Sequence, residues 1–216
     1  DACLMNMVEV AYQLKDYVHI MVGSEEEEPF DGWPYHRILK AISKRPNRHP
    51  KTISKIIVRE YIQSYRKKKE DVTQSALNLE RIDKVIEKLN ALSDTLIQCL
   101  DDKSIKKAIS SSRSDSPRFF KDNYIDLYRF THLLKARCRH KDLKDKAMDL
   151  LKVLKQGRKR FILLQKHHGK AMRHTRGISI YFPRWWINPK YRELDFYKDC
   201  SWGRFLDKYL EHGNGN

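Results

Sequence analysis

Asp1-Ala2-Cys3-Leu4-Met5-Asn6-Met7-Val8-Glu9-Val10-Ala11-Tyr12-Gln13-Leu14 opens the chain, and Tyr17-Val18-His19-Ile20-Met21-Val22-Gly23-Ser24 follows after a short polar step. In the first stretch Leu4, Met7, Val8, Ala11 and Leu14 recur every three or four residues, the spacing that puts apolar side chains on one face of a helix. That register turns Glu9, Gln13 and Lys15 outward and leaves Cys3 at the helix N-terminus. The second stretch is short, apolar and partly β-branched, and Gly23 and Ser24 close it. It predicts a buried strand, with His19 a core or half-buried residue. A helix running into a strand suggests an α/β unit.

Downstream, the segment 25–35 combines two prolines, a glycine and three aromatics with no regular period, which reads as an ordered loop. Its run Glu25 to Glu28 reads by itself as a solvated stretch. Helices are expected through Ile38, Leu39 and Ile42, ending near Pro46, and over residues 53–65, with Arg66-Lys67-Lys68-Lys69 at a C-terminus where the helix dipole favours cations. Residues 72–79 suggest a strand. Ile82, Val85, Ile86, Leu89, Leu92, Leu96 and Cys99 form the stripe of a long helix. Serine-rich residues 110–117 predict a mobile surface loop. Helices over 124–138 and 143–154, strands over 161–164 and 178–182, and a closing helix carrying Trp202, Phe205, Leu206 and Tyr209 complete the pattern, followed by a polar tail, 213–216.

With 216 residues, the chain is long enough for one domain or two small ones. Its hydrophobic fraction of 40% excludes intrinsic disorder. Subtracting 28 Asp and Glu from 44 Lys and Arg leaves +16, so acidic surfaces and polyanions are plausible neighbours. No apolar run approaches the roughly 20 residues that span a bilayer, and no basic-then-apolar leader opens the sequence, so membrane insertion is not expected. Cys3, Cys99, Cys138 and Cys200 form no CxxC pair, which argues against a structural zinc site or a disulfide scaffold. Free thiols favour a reducing, intracellular compartment, with secretion left open because the chain starts at Asp1 without an initiator methionine.

Cys3 has two reasons to be reactive: a helix N-terminus stabilises a thiolate, and a turn exposes the sulfur. Against this stands the commoner fate of cysteine as a small buried apolar residue. Asp1 reads on its own as a cap.

Further residues sharpen the choice. Asp1-Ala2-Cys3-Leu4-Met5 with Val8-Glu9-Val10-Ala11-Tyr12 resembles the nucleophile segment of the clostripain family of cysteine peptidases. Gly23-Ser24-Glu25-Glu26 with Gly32-Trp33-Pro34-Tyr35 resembles that family's acidic loop, and Tyr124-Ile125-Asp126-Leu127 its Tyr-x-Asp-Leu helix. Gly177-Ile178-Ser179-Ile180-Tyr181-Phe182-Pro183 is similar to its late strand, and Trp202-Gly203-Arg204-Phe205-Leu206 to its closing helix. The resemblance implies a caspase-like α/β fold, a central sheet flanked by helices, here partial at its N-terminal strands and carrying a largely helical additional region. On that view residues 1–70 form the nucleophile-bearing part of the core, 71–160 a mainly helical region, and 161–216 the closing strands and helix of the same unit.

The implied reaction is peptide-bond hydrolysis after Arg or Lys, with Cys3 as nucleophile and a histidine as general acid. Asp1 is implied as the acid of the specificity pocket; two residues apart in a strand, Asp1 and Cys3 would face one side. Glu25 is a second candidate for that pocket, with Ser24 offering backbone contacts. The family's catalytic histidine lies on a strand upstream of the Asp-Ala-Cys segment, so the dyad is expected to be completed by an upstream chain or segment. A truncated sequence is favoured over a natural start, and this piece alone is expected to be inactive. His167, His168 and His212 are read as exposed basic-loop residues. Calcium is a cofactor for some relatives, but no Asp-x-Asp-x-Asp-Gly loop occurs here. Arg113 and Arg66 to Lys69 are expected as accessible processing sites. Two other functions stay open: a pseudo-peptidase scaffold, and a polyanion-binding module using the basic clusters with Trp185 and Trp186 beside Arg184.

Overall fold

The computed structural model describes residues 2–120 and 122–213; Asp1 and the tail residues 214–216 lie outside the described residues. The helix-to-strand opening is present as α1 (Val8–Leu14) and β1 (Ile20–Gly23). After the loop come α2 (Tyr35–Ser43), α3 (Pro50–Tyr65), β2 (Val72–Asn78), α4 (Ile82–Gln98) and α5 (Lys103–Ser114). The second half contains β3 (Arg118–Phe119), β4 (Tyr124–Asp126), α6 (Leu127–Arg137), α7 (Lys141–Leu154) and β5 (Ile162–His168). It closes with β6 (Ser179–Tyr181), α8 (Asp195–Asp199) and α9 (Ser201–Gly213). No helix among the described residues is long and apolar enough to cross a membrane.

Two antiparallel sheets form, one in the order β1-β2-β5 and one in the order β3-β4-β6. Residues 4–7 stitch them together. On one side Leu4 N donates to Glu26 O (3.3 Å) and Asn6 N to Ser24 O (2.9 Å); on the other Ser179 N donates to Asn6 O (2.9 Å), and Met7 bridges Ser179 in parallel. The cysteine-bearing segment is thereby fixed between the sheets. Every residue of β2 is buried. Helix α3 covers β2 and β5, packing Val58 on Ala76 and Leu163. The largest apolar cluster runs from Met7 to Leu206 and joins α1, α4, α6, α7 and α9, the apolar stripe of α4 forming its spine.

Several expectations are corrected. Helix α1 starts at Val8, so Cys3 lies in a turn ahead of it rather than at its N-terminus. Main-chain groups of residues 4–6 are taken by both sheets and are unavailable to a helix. Glu9 is not outward but 3% exposed. His19 precedes the strand, its side chain 87% exposed and 3.8 Å from Glu80. The serine-rich segment is not a mobile loop: α5 runs through Ser114, capped by Asp102, whose carboxylate accepts from Ser104 N and Ile105 N. Hydroxyl bonds from Ser111 to Ala108 O and from Ser116 to Ser112 O hold its serines against the helix backbone. Arg113 is buried rather than accessible, its guanidinium donating to Phe182 O (2.9 Å) and Asp122 O (2.5 Å). The helix expected from Tyr124 begins three residues later, because Tyr124–Asp126 pair with β6 and Asp126 caps α6. His167 and His168 lie on β5, not in a loop.

Candidate active site

Cys3 is exposed and occupies the turn between the two sheets. Leu4, next in the chain, has φ +62°, a left-handed conformation uncommon for a non-glycine residue and worth the cost where a side chain must be aimed. The main chain of the acidic loop lies against the sulfur: Glu28 N donates to Sγ at 3.2 Å, and Sγ lies 3.9 Å from Glu28 O. The loop is itself anchored. Trp33 Nε1 donates to both Glu28 carboxylate oxygens (3.1 and 3.0 Å), and Tyr65 OH donates to Gly32 O (2.9 Å). Beneath it Trp33, Tyr61 and Tyr65 pack ring on ring. Burial pushes the Tyr61 hydroxyl up, and the nearby charges of Glu28, Tyr65 and Cys3 add to it. The Tyr61 hydroxyl and both amide atoms of Gln74 are buried there without partners.

Ser24 and Glu25 are both buried. The Ser24 hydroxyl shares a 2.8 Å bond with Thr73 Oγ1, which also accepts from Glu25 N (3.0 Å), while Ser24 O holds Asn6 N. The solvated reading of the glutamate run therefore fails for Glu25, whose carboxyl turns inward and accepts from Gly177 N at 2.8 Å. It meets Asp126 there. Burial first, then Asp126, raises Glu25 well above the usual carboxylate range. Burial raises Asp126 to about 6 against the opposing N–H groups of Arg129 and Arg176. Both acids are thus held above the ordinary carboxylate range. Gly177, at φ +99°, is required: a Cβ there would lie 2.7 Å from Gln165 Cβ.

The structure thus brings Cys3, Ser24, Glu25 and the rest of the acidic loop together around Asn6; Asp1 lies outside the described residues. Among the described residues no histidine nitrogen is hydrogen-bonded to the Cys3 thiol, and no group of three or more His, Cys, Asp or Glu is arranged to hold a metal ion. His167 is half-buried opposite Thr73, and burial, then the Arg176 charge, lowers its pKa. Sequence reasoning missed Asn6, Tyr61, Thr73, Gln74 and the role of Asp126. Only Asp126, through its Tyr-x-Asp-Leu setting, carried a signal.

A model of the Clostripain family matches residues 1–209. Among solved structures, a B. fragilis cysteine protease superposes with a TM-score of 0.61 at 20% identity, covering 94% of this chain and 85% of that one. A clostripain from Bacteroides thetaiotaomicron in complex with the peptide inhibitor BTN-VLTK-AOMK gives a TM-score of 0.61 at 17% identity, covering 92% of this chain and 83% of that one. An inactive zymogen C11 protease from Parabacteroides distasonis gives 0.64 at 17% identity, covering 93% of this chain and 57% of that one. At such identities the likeness is one of fold, and it agrees with the caspase-like α/β architecture. No curated protein sequence matches. Because the family model spans the Cys3 turn, both sheets and all but the end of α9, the chain belongs to the clostripain family of cysteine peptidases.

Proposed function

We propose that this chain carries the nucleophile-bearing part of an endopeptidase that cleaves after Arg or Lys. Cys3 Sγ attacks the scissile carbonyl carbon, forming the C–S bond, while a histidine from a segment upstream of Asp1 gives a proton to the amine nitrogen as the C–N bond breaks. Water then hydrolyses the thioester, releasing the acid and restoring the thiol. The observation that carries this reading is the exposed Cys3 in its turn, with the main chain of Glu28 against its sulfur and that of Glu26 held by Leu4 N. In a chain of net charge +16, the half-buried to exposed glutamates Glu26 to Glu28 at that position suit a cationic P1 side chain. The peptide inhibitor of the Bacteroides thetaiotaomicron clostripain, BTN-VLTK-AOMK, has K as its last peptide letter, in keeping with this preference. Asp1 pairs the P1 cation; Ser24 contributes through its main chain, and Glu25 shapes the pocket by anchoring the loop on Gly177 N.

The test is turnover of fluorogenic peptides with Arg or Lys at P1 by the full-length protein. Cys3→Ala is expected to abolish it. Residues 1–216 alone are expected to be slower by about 10²- to 10⁴-fold through loss of general acid–base help. Unchanged turnover in Cys3→Ala refutes the nucleophile, and equal cleavage of peptides with Ala at P1 refutes the basic specificity.

A further inference from the structure

A cavity of about 390 Å³ lies at the start of α1; Met7 is in its lining, but neither Cys3 nor residues 24–28 are. Its walls are aromatic. Tyr181 packs on Tyr191 with ring centroids 4.4 Å apart and on Tyr124 at 5.8 Å. Trp185 and Trp186, 66% and 64% exposed, are part of its lining. Two such indoles on a surface need a reason, because large exposed apolar groups around a concavity mark sites of contact.

Glu9 is buried among these rings and lines the cavity. Its Oε1 accepts from Tyr181 N and from Tyr191 OH, both at 2.9 Å. Its Oε2 is buried with no partner. An unsatisfied buried carboxyl oxygen costs on the order of 1–3 kcal/mol, more when charged, and calls for a missing donor. Only one oxygen is free, so the site suits a single N–H donor rather than a two-pronged guanidinium. The aromatic lining of Tyr124 and Tyr181 favours a cation over a neutral donor, and an aromatic wall favours a ligand with a ring of its own. The cations Arg184 and Lys190 sit at the exposed rim, Arg184 held 5.0 Å over the Trp185 ring, where water screens them; Glu9 is the charge inside.

We propose that this cavity binds a small arylalkyl ammonium ion, the ammonium donating to Glu9 Oε2 and the ring stacking among Tyr124, Tyr181 and Trp186. Burial raises Glu9 to about 7, against the hydrogen bonds from Tyr181 and Tyr191. Facing it, the hydroxyls of Tyr124, Tyr181 and Tyr191 are all pushed up, as is the Cys200 thiol, to about 12. The acids of neighbouring elements are occupied by other residues of α1 and its C-terminal end: Asp195 and Asp199 of α8 by Gln13 and Tyr12, and Asp83 of α4 by Lys15. Glu9 is therefore the group whose ionisation sets the affinity near neutrality. Binding of the cation requires the carboxylate, so it weakens as pH falls below about 7.

Calorimetric titration of the full-length protein with 2-phenylethylammonium, 2-phenylethanol and phenylacetate tests this. The amine is expected to bind saturably and at least about tenfold tighter than the alcohol, with affinity falling about tenfold per pH unit below 7. Glu9→Gln is expected to erase the preference for the amine; Trp186→Ala, at an exposed position that leaves the fold intact, is expected to weaken amine and alcohol alike. Equal binding of amine and alcohol, tighter binding of phenylacetate, no saturation, or a preference that survives in Glu9→Gln overturns the assignment. Repeating the titration on Cys3→Ala separates the outcome from that of the peptidase reading, because binding here does not involve the thiol.

Discussion

Asn6 shows how much one side chain can organise. It is fully buried, and its Nδ2 donates to Ser75 O and Gly177 O (3.3 Å each) and to the Ser75 hydroxyl, tying the Cys3 segment to β2 and to the entry of β6. Nothing in its neighbours Met5 and Met7 announces this, since the partners lie 69 and 171 residues away. The buried acids have a measurable consequence. Glu9 at about 7 and Asp126 at about 6 are both raised above the values of an unfolded chain, so the folded state holds protons that the unfolded state has released. Their stabilisation is complete below the unfolded pKa, near 4, and is lost as pH rises through 6 to 7. Relative to Glu9→Gln, which does not titrate, the wild-type protein is expected to lose melting temperature between pH 5 and pH 8. A wild-type advantage that grows with pH contradicts the burial argument.

At the level of elements, apolar periodicity served well where one face of a helix meets the core and poorly where polar residues are satisfied internally. The stripe of α4 up to Leu96, with Cys99 as its C-cap, and the residues expected for α3, α7 and α9 are found in helices. In and just after α5 the Ser111 and Ser116 hydroxyls bond back to the helix main chain, and Arg113 spends its charge on two main-chain carbonyls. In β2 the polar Thr73, Gln74 and Ser75 are buried, so the strand shows no alternation of inside and outside. These facts rank protease sensitivity. The turn after α3, with Arg66, Lys67, Lys68 and Lys69 all exposed, is expected to be cut by trypsin well before Arg113 in a timed digest followed by mass spectrometry. Early cleavage at Arg113 refutes the helical, buried state of that segment.

Over the whole molecule, aromatic packing joins the closing helix to the second sheet. Trp202 is fully buried, donates through Nε1 to Tyr181 O (2.9 Å), and meets Phe130, Phe182 and Phe205 with centroids 6.1, 5.4 and 4.9 Å away. Removing the indole leaves a cavity and an unpaired carbonyl, so Trp202→Ala is expected to cost about 3–5 kcal/mol in denaturant unfolding. A loss below about 1 kcal/mol contradicts this account of the core.

The sequence by itself determined the α/β class, the order of most elements, the family and the position of Cys3, because helical stripes, strand-ending glycines and prolines, and short motifs are local properties of the chain. Tertiary structure alone decided that Asn6, Glu9, Glu25, Asp126 and Arg113 are buried and what each one bonds. Burial of a polar group depends on partners brought in from distant segments, and a charge or an amide in the sequence looks the same whether water or Gly177 is waiting for it.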